Sequence, residues 1–342
     1  MAKIGIIGAG TWGTALAIHL AKCGHSVTVW SVFPEDGEAL ARTGRHKNLP
    51  GAEIPRSVSF TADLEKLCRG RDILLLAVPS IYTREIAKRM RSYVREGQLI
   101  INAAKGIEEN TLKTQTDITE EELPQAEVCV LSGPSHAEEV SRGMPTAVVI
   151  GADVQDTAVY LQTVFMSPSF RVYISPDRKG IEVGGALKNV IALAAGMADG
   201  LGYGDNALAA LVTRGITELA RLGAAMGCEQ MTFYGLTGLG DLMVTCASRH
   251  SRNRRAGVLI GQGYTAKAAM EEVQMVVEGV YSAKAGKQLA EKYKVSMPIV
   301  EEVNQILFEG KSAADAVMDL MCRDRTIENP IVSWKQKPSE TI

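Results

Sequence analysis

The chain has 342 residues, more than one hydrophobic core usually serves, so two domains are expected. Its 46% hydrophobic and 22% charged residues are those of a globular protein, and a net charge of −2 excludes the broad basic surface that nucleic acid demands. Six scattered cysteines form no C-x-x-C pair and five histidines no metal-ligand spacing, which fits free thiols in a reducing cytoplasm and no metal.

No basic-plus-apolar leader precedes the first apolar run, so no signal peptide is expected. That run, Lys3-Ile4-Gly5-Ile6-Ile7, meets a turn with glycines at Gly8, Gly10 and Gly13 before a helix-period segment ending at Lys22-Cys23-Gly24. Each glycine has its own task in a dinucleotide-binding turn. Gly8 permits the bend, Gly10 lets the backbone approach a pyrophosphate, and Gly13 lets the helix pack on the strand. The amides and dipole at the helix start favour anionic phosphates.

Strands are expected next at 25–30, 72–78, 98–103, 127–131, 146–150 and 170–174. Helices are expected at 35–42, after Pro79-Ser80 through Tyr93, at 136–141 and at 153–165, with a turn-rich loop at 43–55. Strands alternating with helices imply right-handed crossovers and a largely parallel, Rossmann-type sheet over 1–176. From about Asp177 the period becomes 3.6 residues, in blocks at 178–200, 207–226, 250–261, 282–293, 298–309 and 312–320. This reads as an all-helical C-terminal domain, 177–329, hinged near Ser175-Pro176, with a frayed tail at 330–342. The long apolar segment 183–201 is interrupted by Lys188, Asn189 and Asp199, so it is not expected to span a membrane.

Ligands of open parallel sheets lie off the carboxyl ends of the strands. Here those ends carry the glycine turn, Val78-Pro79-Ser80, Ala104-Lys105-Gly106 and Ser132-Gly133-Pro134-Ser135. Lys105 reads equally as an ordinary solvated lysine, and Ser135 as a cap of the next helix. Ser31, Val32 and Phe33 follow the second strand, where an acid would select NAD; Arg45, His46 and Lys47 are candidates to hold the extra phosphate of NADP. The lean is to NADP, with NAD tolerated.

The helix around Lys188 is apolar all round and belongs in an interior. Lys188 has no acid three or four residues away, and desolvation lowers a buried lysine's pKa toward the range of efficient proton transfer. Small residues on its face, Gly184 and Gly185 among them, leave room for a ligand. Asp241, among glycines and apolar residues, needs a partner if buried, with Lys188 or Lys105 the natural choice. Ser251, Arg252 and Asn253 open the next helix with a cap hydroxyl and cationic and amide donors suited to a phosphate monoester. Arg254 and Arg255 read as partly solvated surface.

These motifs together resemble the bacterial NAD(P)-dependent glycerol-3-phosphate dehydrogenases. The resemblance rests on residues 8–16, 77–80, 105–106, 132–134, 184–190, 238–242, 251–255 and 276–279, in the family's order and spacing. It implies reversible reduction of dihydroxyacetone phosphate by NAD(P)H to sn-glycerol 3-phosphate for phospholipid synthesis. Lys188 matches the family's catalytic lysine, and Lys105 and Asp241 match residues at the substrate. Gly133, Ser135, Ser251, Arg252 and Asn253 match contacts with glycerol phosphate. Thr11, Trp12, Ala137, Val276 and Glu278 match positions near the cofactor, and Arg252 is shared by both ligands. The departure lies at Val32-Phe33, where many members place a histidine or arginine; it bears on cofactor choice. Two other readings carry different chemistry: a β-hydroxyacid dehydrogenase acting on a carboxylate, and a non-catalytic NAD(P)-sensing module. The expected assembly is a homodimer in the cytoplasm.

Overall fold

The computed structural model describes residues 1–248, 250–325 and 327–328; the expected tail at 330–342, and residue 329 closing the expected helical domain, lie outside them. The first half alternates β1 (Lys3–Ile7), α1 (Thr11–Lys22), β2 (Ser26–Trp30), α2 (Pro34–Thr43), β3 (Ser59–Thr61), α3 (Leu64–Cys68) and β4 (Ile73–Leu76). It continues with α4 (Thr83–Met90), β5 (Gln98–Asn102), α5 (Gln115–Glu122), β6 (Ala126–Ser132), α6 (Ala137–Arg142), β7 (Thr146–Gly151), α7 (Gln155–Phe165) and β8 (Phe170–Ser175). The strands form one sheet in the order β3-β2-β1-β4-β5-β6-β7-β8, parallel except where β7 runs against β6. The order reverses between β1 and β4, and the crevice above that switch is where such sheets hold ligands.

Side chains alternate between two buried faces, which is why the strands read as unbroken apolar runs. Ile4, Ile6, Val27, Val29, Ile73 and Leu75 share a core with Leu16 and Leu20 of α1, Val140 of α6 and Leu161 of α7. Ile7, Leu74, Leu76 and Ile100 pack on the other side with Leu67, Ile86 and Met90.

Beyond β8 the chain is helical: α8 (Arg178–Gly200), α9 (Asp205–Ala225), α10 (Gln230–Tyr234), a wide turn over Leu236–Gly240, α11 (Asp241–Ala247) and α12 (Arg252–Gly261). Then follow α13 (Ala266–Val273), α14 (Glu278–Tyr293), α15 (Pro298–Phe308) and α16 (Ala313–Met321). Asp177 caps α8 by accepting from the Gly180 amide at 3.0 Å, so the chain turns directly from sheet into core helix. α8 is long and apolar enough to cross a bilayer, yet it is wrapped by its neighbours. Val183, Leu187, Val190, Ile191 and Leu193 are fully buried. Together they contribute on the order of 10 kcal/mol, which outweighs the several kcal/mol that desolvating one ammonium costs.

α12 crosses α8 at backbone contact. A Cβ on Gly196 would fall 2.1 Å from the Arg254 carbonyl oxygen, and one on Gly257 the same distance from that of Leu193. Only glycine permits this approach, and it seats residues 251–253 beside the middle of α8.

Candidate active site

The carboxyl edge of the sheet brings the four predicted turns side by side. Gly8 adopts φ +121°, and a Cβ there would meet the Ala77 carbonyl oxygen at 2.7 Å; a Cβ on Gly13 would stand 2.0 Å from the Gly8 oxygen. These two glycines therefore hold the turn against β4 and α1 against the turn. Gly10 differs: a Cβ there meets no heavy atom within 4 Å. It is the N-cap residue of α1, whose end carries no side-chain cap. Bare first-turn amides thus look out over open space, the cradle that a dinucleotide pyrophosphate fits. Thr11 and Trp12 open α1 half-buried, and Ala137 opens α6 inside the core that packs on it.

The next turns hold the ionisable groups. The Lys105 ammonium, just past β5, donates to the Gly133 carbonyl at 2.9 Å and to Asp241 Oδ2 at 2.6 Å. Lys188, 5% exposed on α8, donates to Asp241 Oδ1 at 2.9 Å and to Thr245 Oγ1 at 2.5 Å. One buried carboxylate thus holds two ammonium groups, one from each half of the molecule. Burial pulls the Lys188 amine down to about 8, although Asp241 acts to raise it. Burial alone would raise the Asp241 carboxyl, but the charges of Lys105 and Lys188 outweigh it and hold the group below the usual carboxylate range.

Thr245 joins the site although the sequence does not point to it. Its hydroxyl donates to the Asp241 carbonyl at 2.6 Å, which turns a lone pair toward Lys188. The available signal was its i+4 spacing from an acid expected to be buried. Asp241 itself follows the wide turn, closed by Gly240 N–H donating to the Gly235 oxygen at 3.1 Å, a geometry that re-aims the start of α11.

Two expectations are corrected. The small residues beside Lys188 do not form an open cleft. A Cβ on Gly184 would lie 3.2 Å from the Thr237 oxygen, and one on Gly185 would lie 2.9 Å from Ser132 Oγ and 3.8 Å from Lys105 Cγ. The space admits the wide turn and the Lys105 stem. Nor does Ser135 cap α6; its hydroxyl donates to the Gly133 oxygen at 3.0 Å, and His136 stands at the N-cap position. Gly133, at φ +145°, fits because a Cβ would meet Val148 Cα at 2.9 Å.

The phosphate candidates gather at the start of α12. Ser251 Oγ accepts from the Arg254 amide at 3.1 Å, leaving its O–H for another acceptor. Arg252 donates to the Val276 oxygen at 3.2 Å, joining α12 to the entry of α14. Asn253 faces inward more than expected: its amide donates to Asn189 Oδ1 and its Oδ1 accepts from Gly279 N–H, both at 2.9 Å. Arg254 pairs with Asp199 at 2.6 Å, and Arg255 is exposed. Glu278, first in α14, accepts from Ser80 at the end of the β4 turn.

Comparison with known proteins points to one family. The model of the NAD-dependent glycerol-3-phosphate dehydrogenase N-terminus matches residues 3–158 and that of the C-terminus residues 177–318. The chain is 59% identical to the glycerol-3-phosphate dehydrogenase [NAD(P)+] of Agathobacter rectalis and 57% to that of Fusobacterium nucleatum, covering 98% of this chain and 100% of the relative each time. The crystal structure of glycerol-3-phosphate dehydrogenase from Coxiella burnetii superposes with a TM-score of 0.90 at 36% identity, covering 94% of this chain and 99% of that one. On both sequence and fold, the chain belongs to the NAD-dependent glycerol-3-phosphate dehydrogenase family.

Proposed function

We propose that this chain interconverts dihydroxyacetone phosphate and sn-glycerol 3-phosphate with NADH or NADPH, forming the precursor of phospholipids. The observation that carries the reading is the Lys188–Asp241–Lys105 cluster, with Lys188 and Asp241 buried and Lys105 half-buried, at the carboxyl edge of the sheet that also bears the glycine turn. The bound nicotinamide supplies hydride to C2 in reduction and takes it back in oxidation. Lys188 directs its remaining N–H to the carbonyl oxygen and gives up a proton as alkoxide character develops. Its value near 8 lets it act as acid in one direction and base in the other. Asp241 keeps that amine charged and oriented while Lys105 adds positive potential beside the same oxygen.

In this reading Gly133, Ser135, Ser251, Arg252 and Asn253 bind the glycerol phosphate, with the free Ser251 hydroxyl and the Arg252 guanidinium at its phosphate. Gly8, Gly10, Thr11, Trp12, Gly13, Lys105, Ala137, Arg252, Val276 and Glu278 surround the cofactor. Residues 1–176 form the dinucleotide domain and 177–329 the substrate domain. The lean to NADP is supported by the absence of an acid directly after β2 and by Asn48. That amide reaches Thr11 Oγ1 at 3.5 Å and draws the His46-Lys47 loop beside the glycine turn. A homodimer is supported by 207–212 of α9, six apolar residues in a row with Ala209 and Ala210 exposed and Leu208, Leu211 and Val212 only partly covered by the core, and a cytoplasmic location by the six free cysteines. The curated relatives favour neither the carboxylate-acting dehydrogenase nor the sensing module.

The test is steady-state reduction of dihydroxyacetone phosphate with NADH and with NADPH, by the natural chain and by Lys188→Ala. The variant is expected to lose between about a hundredfold and ten-thousandfold in turnover, the range of general acid catalysis, while still binding dinucleotide. Turnover near the natural level in Lys188→Ala, or oxidation of neither dinucleotide by the natural chain, would overturn the proposal.

A further inference from the structure

The Val78-Pro79-Ser80 turn has no role in the scheme above, yet it makes a two-point contact between the halves of the molecule. The Ser80 backbone N–H donates to Glu278 Oε1 at 3.2 Å and its hydroxyl donates to Oε2 at 2.5 Å. Ser80 is 8% exposed. Gly106, one residue past Lys105, is shaped around the pair: a Cβ there would fall 2.3 Å from Ser80 Oγ and 3.4 Å from Glu278 Oε2. The same turn borders the crevice between β1 and β4, since Ala77 packs its carbonyl on Gly8. Glu278 is therefore fixed to the rim of the glycine turn by a residue from the other half of the chain.

We propose that Ser80 is a positioning residue for the dinucleotide, holding the Glu278 carboxylate so that its remaining lone pairs face the donors of the bound cofactor. This rests on the placement of Glu278 at the cofactor proposed above. A carboxylate with two oxygens has about four acceptor sites, and Ser80 occupies one on each. The others are left for ribose hydroxyl or carboxamide donors, held in a fixed direction. Charge-assisted bonds of this kind are the strong ones. Burial pushes the Glu278 carboxyl above the usual carboxylate range; the Ser80 donors and the positive charge of Arg252, from α12, oppose it. Dinucleotide affinity accordingly falls as pH drops and Glu278 takes a proton, and loss of the Ser80 hydroxyl moves that fall to higher pH.

The experiment is a fluorescence titration of NADPH and NADH into the full chain, without substrate, from pH 5 to pH 8. Ser80→Ala is expected to weaken dinucleotide about tenfold, the order of one hydrogen bond to a charged group. Its acid fall lies at higher pH than in the natural chain, and KM for dihydroxyacetone phosphate changes less than twofold. Ser80→Cys keeps the size of the side chain and replaces the O–H by a weaker S–H donor, and is expected to weaken dinucleotide in the same direction, so the proposal stays testable if Ser80→Ala folds poorly. Because Ser80 acts through Glu278, adding Ser80→Ala to Glu278→Gln costs less than a further twofold. An unchanged dinucleotide Kd in Ser80→Ala, a fully additive double variant, or equal losses toward both ligands would overturn the proposal. Binding is read without turnover, so failure of the dehydrogenase reading leaves a different signature: normal titrations and no oxidation of NAD(P)H.

Discussion

Replacing Asp241 by asparagine preserves shape and removes the one negative charge between two ammonium groups. Lys188 lies 2.9 Å from that carboxylate. At an effective dielectric near 20, unit charges about 3 Å apart attract by about 5–6 kcal/mol. The amide oxygen retains part of the interaction, so a net loss of about 3 kcal/mol is reasonable, or about two pKa units. From about 8 in the natural chain, the pKa of the amine then falls by that amount. At pH 8 its protonated fraction falls from about one half to about one in a hundred. Reduction of dihydroxyacetone phosphate is therefore expected to drop about fiftyfold at pH 8, with partial recovery toward pH 6. Oxidation of glycerol 3-phosphate, which needs the neutral amine, keeps more of its rate at low pH. The assay is kcat/KM in both directions from pH 5.5 to 9, with dinucleotide in excess to offset part of the roughly 3–5 kcal/mol that breaking a buried pair costs. A lowered rate with an unmoved pH profile would refute the electrostatic argument and leave Asp241 a purely steric role.

Two further outcomes follow from the same structure. Gly13→Ala puts a Cβ 2.0 Å from the Gly8 oxygen, whereas Gly10→Ala meets nothing within 4 Å. The first is expected to lower Tm and weaken dinucleotide together, the second to weaken dinucleotide by at least about tenfold with Tm unchanged; calorimetry and titration separate them. Glu182, buried on α8, accepts from the Thr116 amide at 2.8 Å and from the Thr116 hydroxyl, and burial raises its carboxyl to about 7. Its folded-state value exceeds the unfolded one, so the folded chain binds more protons between about pH 4.5 and 7 and loses stability as pH rises through that window. Glu182→Gln should gain on the natural chain by up to roughly 3 kcal/mol between pH 5 and pH 8 in denaturant unfolding. A stability difference independent of pH would contradict this.

Much of the fold could be read directly where a local pattern was long enough to repeat. α1, α8 and most parallel strands lie within a few residues of expectation because apolar period and capping chemistry act over neighbouring residues. β3, with three residues, and α3 and α10, with five, are too short to show a period. α5 lies outside the expected helices although Thr114 and Asp117 form a capping box there: its helical face is mostly polar, and Gln115, Thr116 and Thr119 are buried by neighbours remote in sequence. The reversal of β7 depends on which edge of the sheet stood free for pairing, and no local pattern encodes that.

The sequence by itself determined the chemistry available: a glycine turn for phosphates, a lysine set in an apolar helix, an acid in need of a partner. Those follow from residue type and spacing, which act locally. Tertiary structure alone decided that one carboxylate serves both lysines, that Gly184 and Gly185 admit backbone and the Lys105 stem, and that Ser80 grips Glu278 across 198 positions of chain. Such pairings arise because helices crossing at glycine contacts bring distant residues within hydrogen-bond range, and a buried charge is stable only where that range is met.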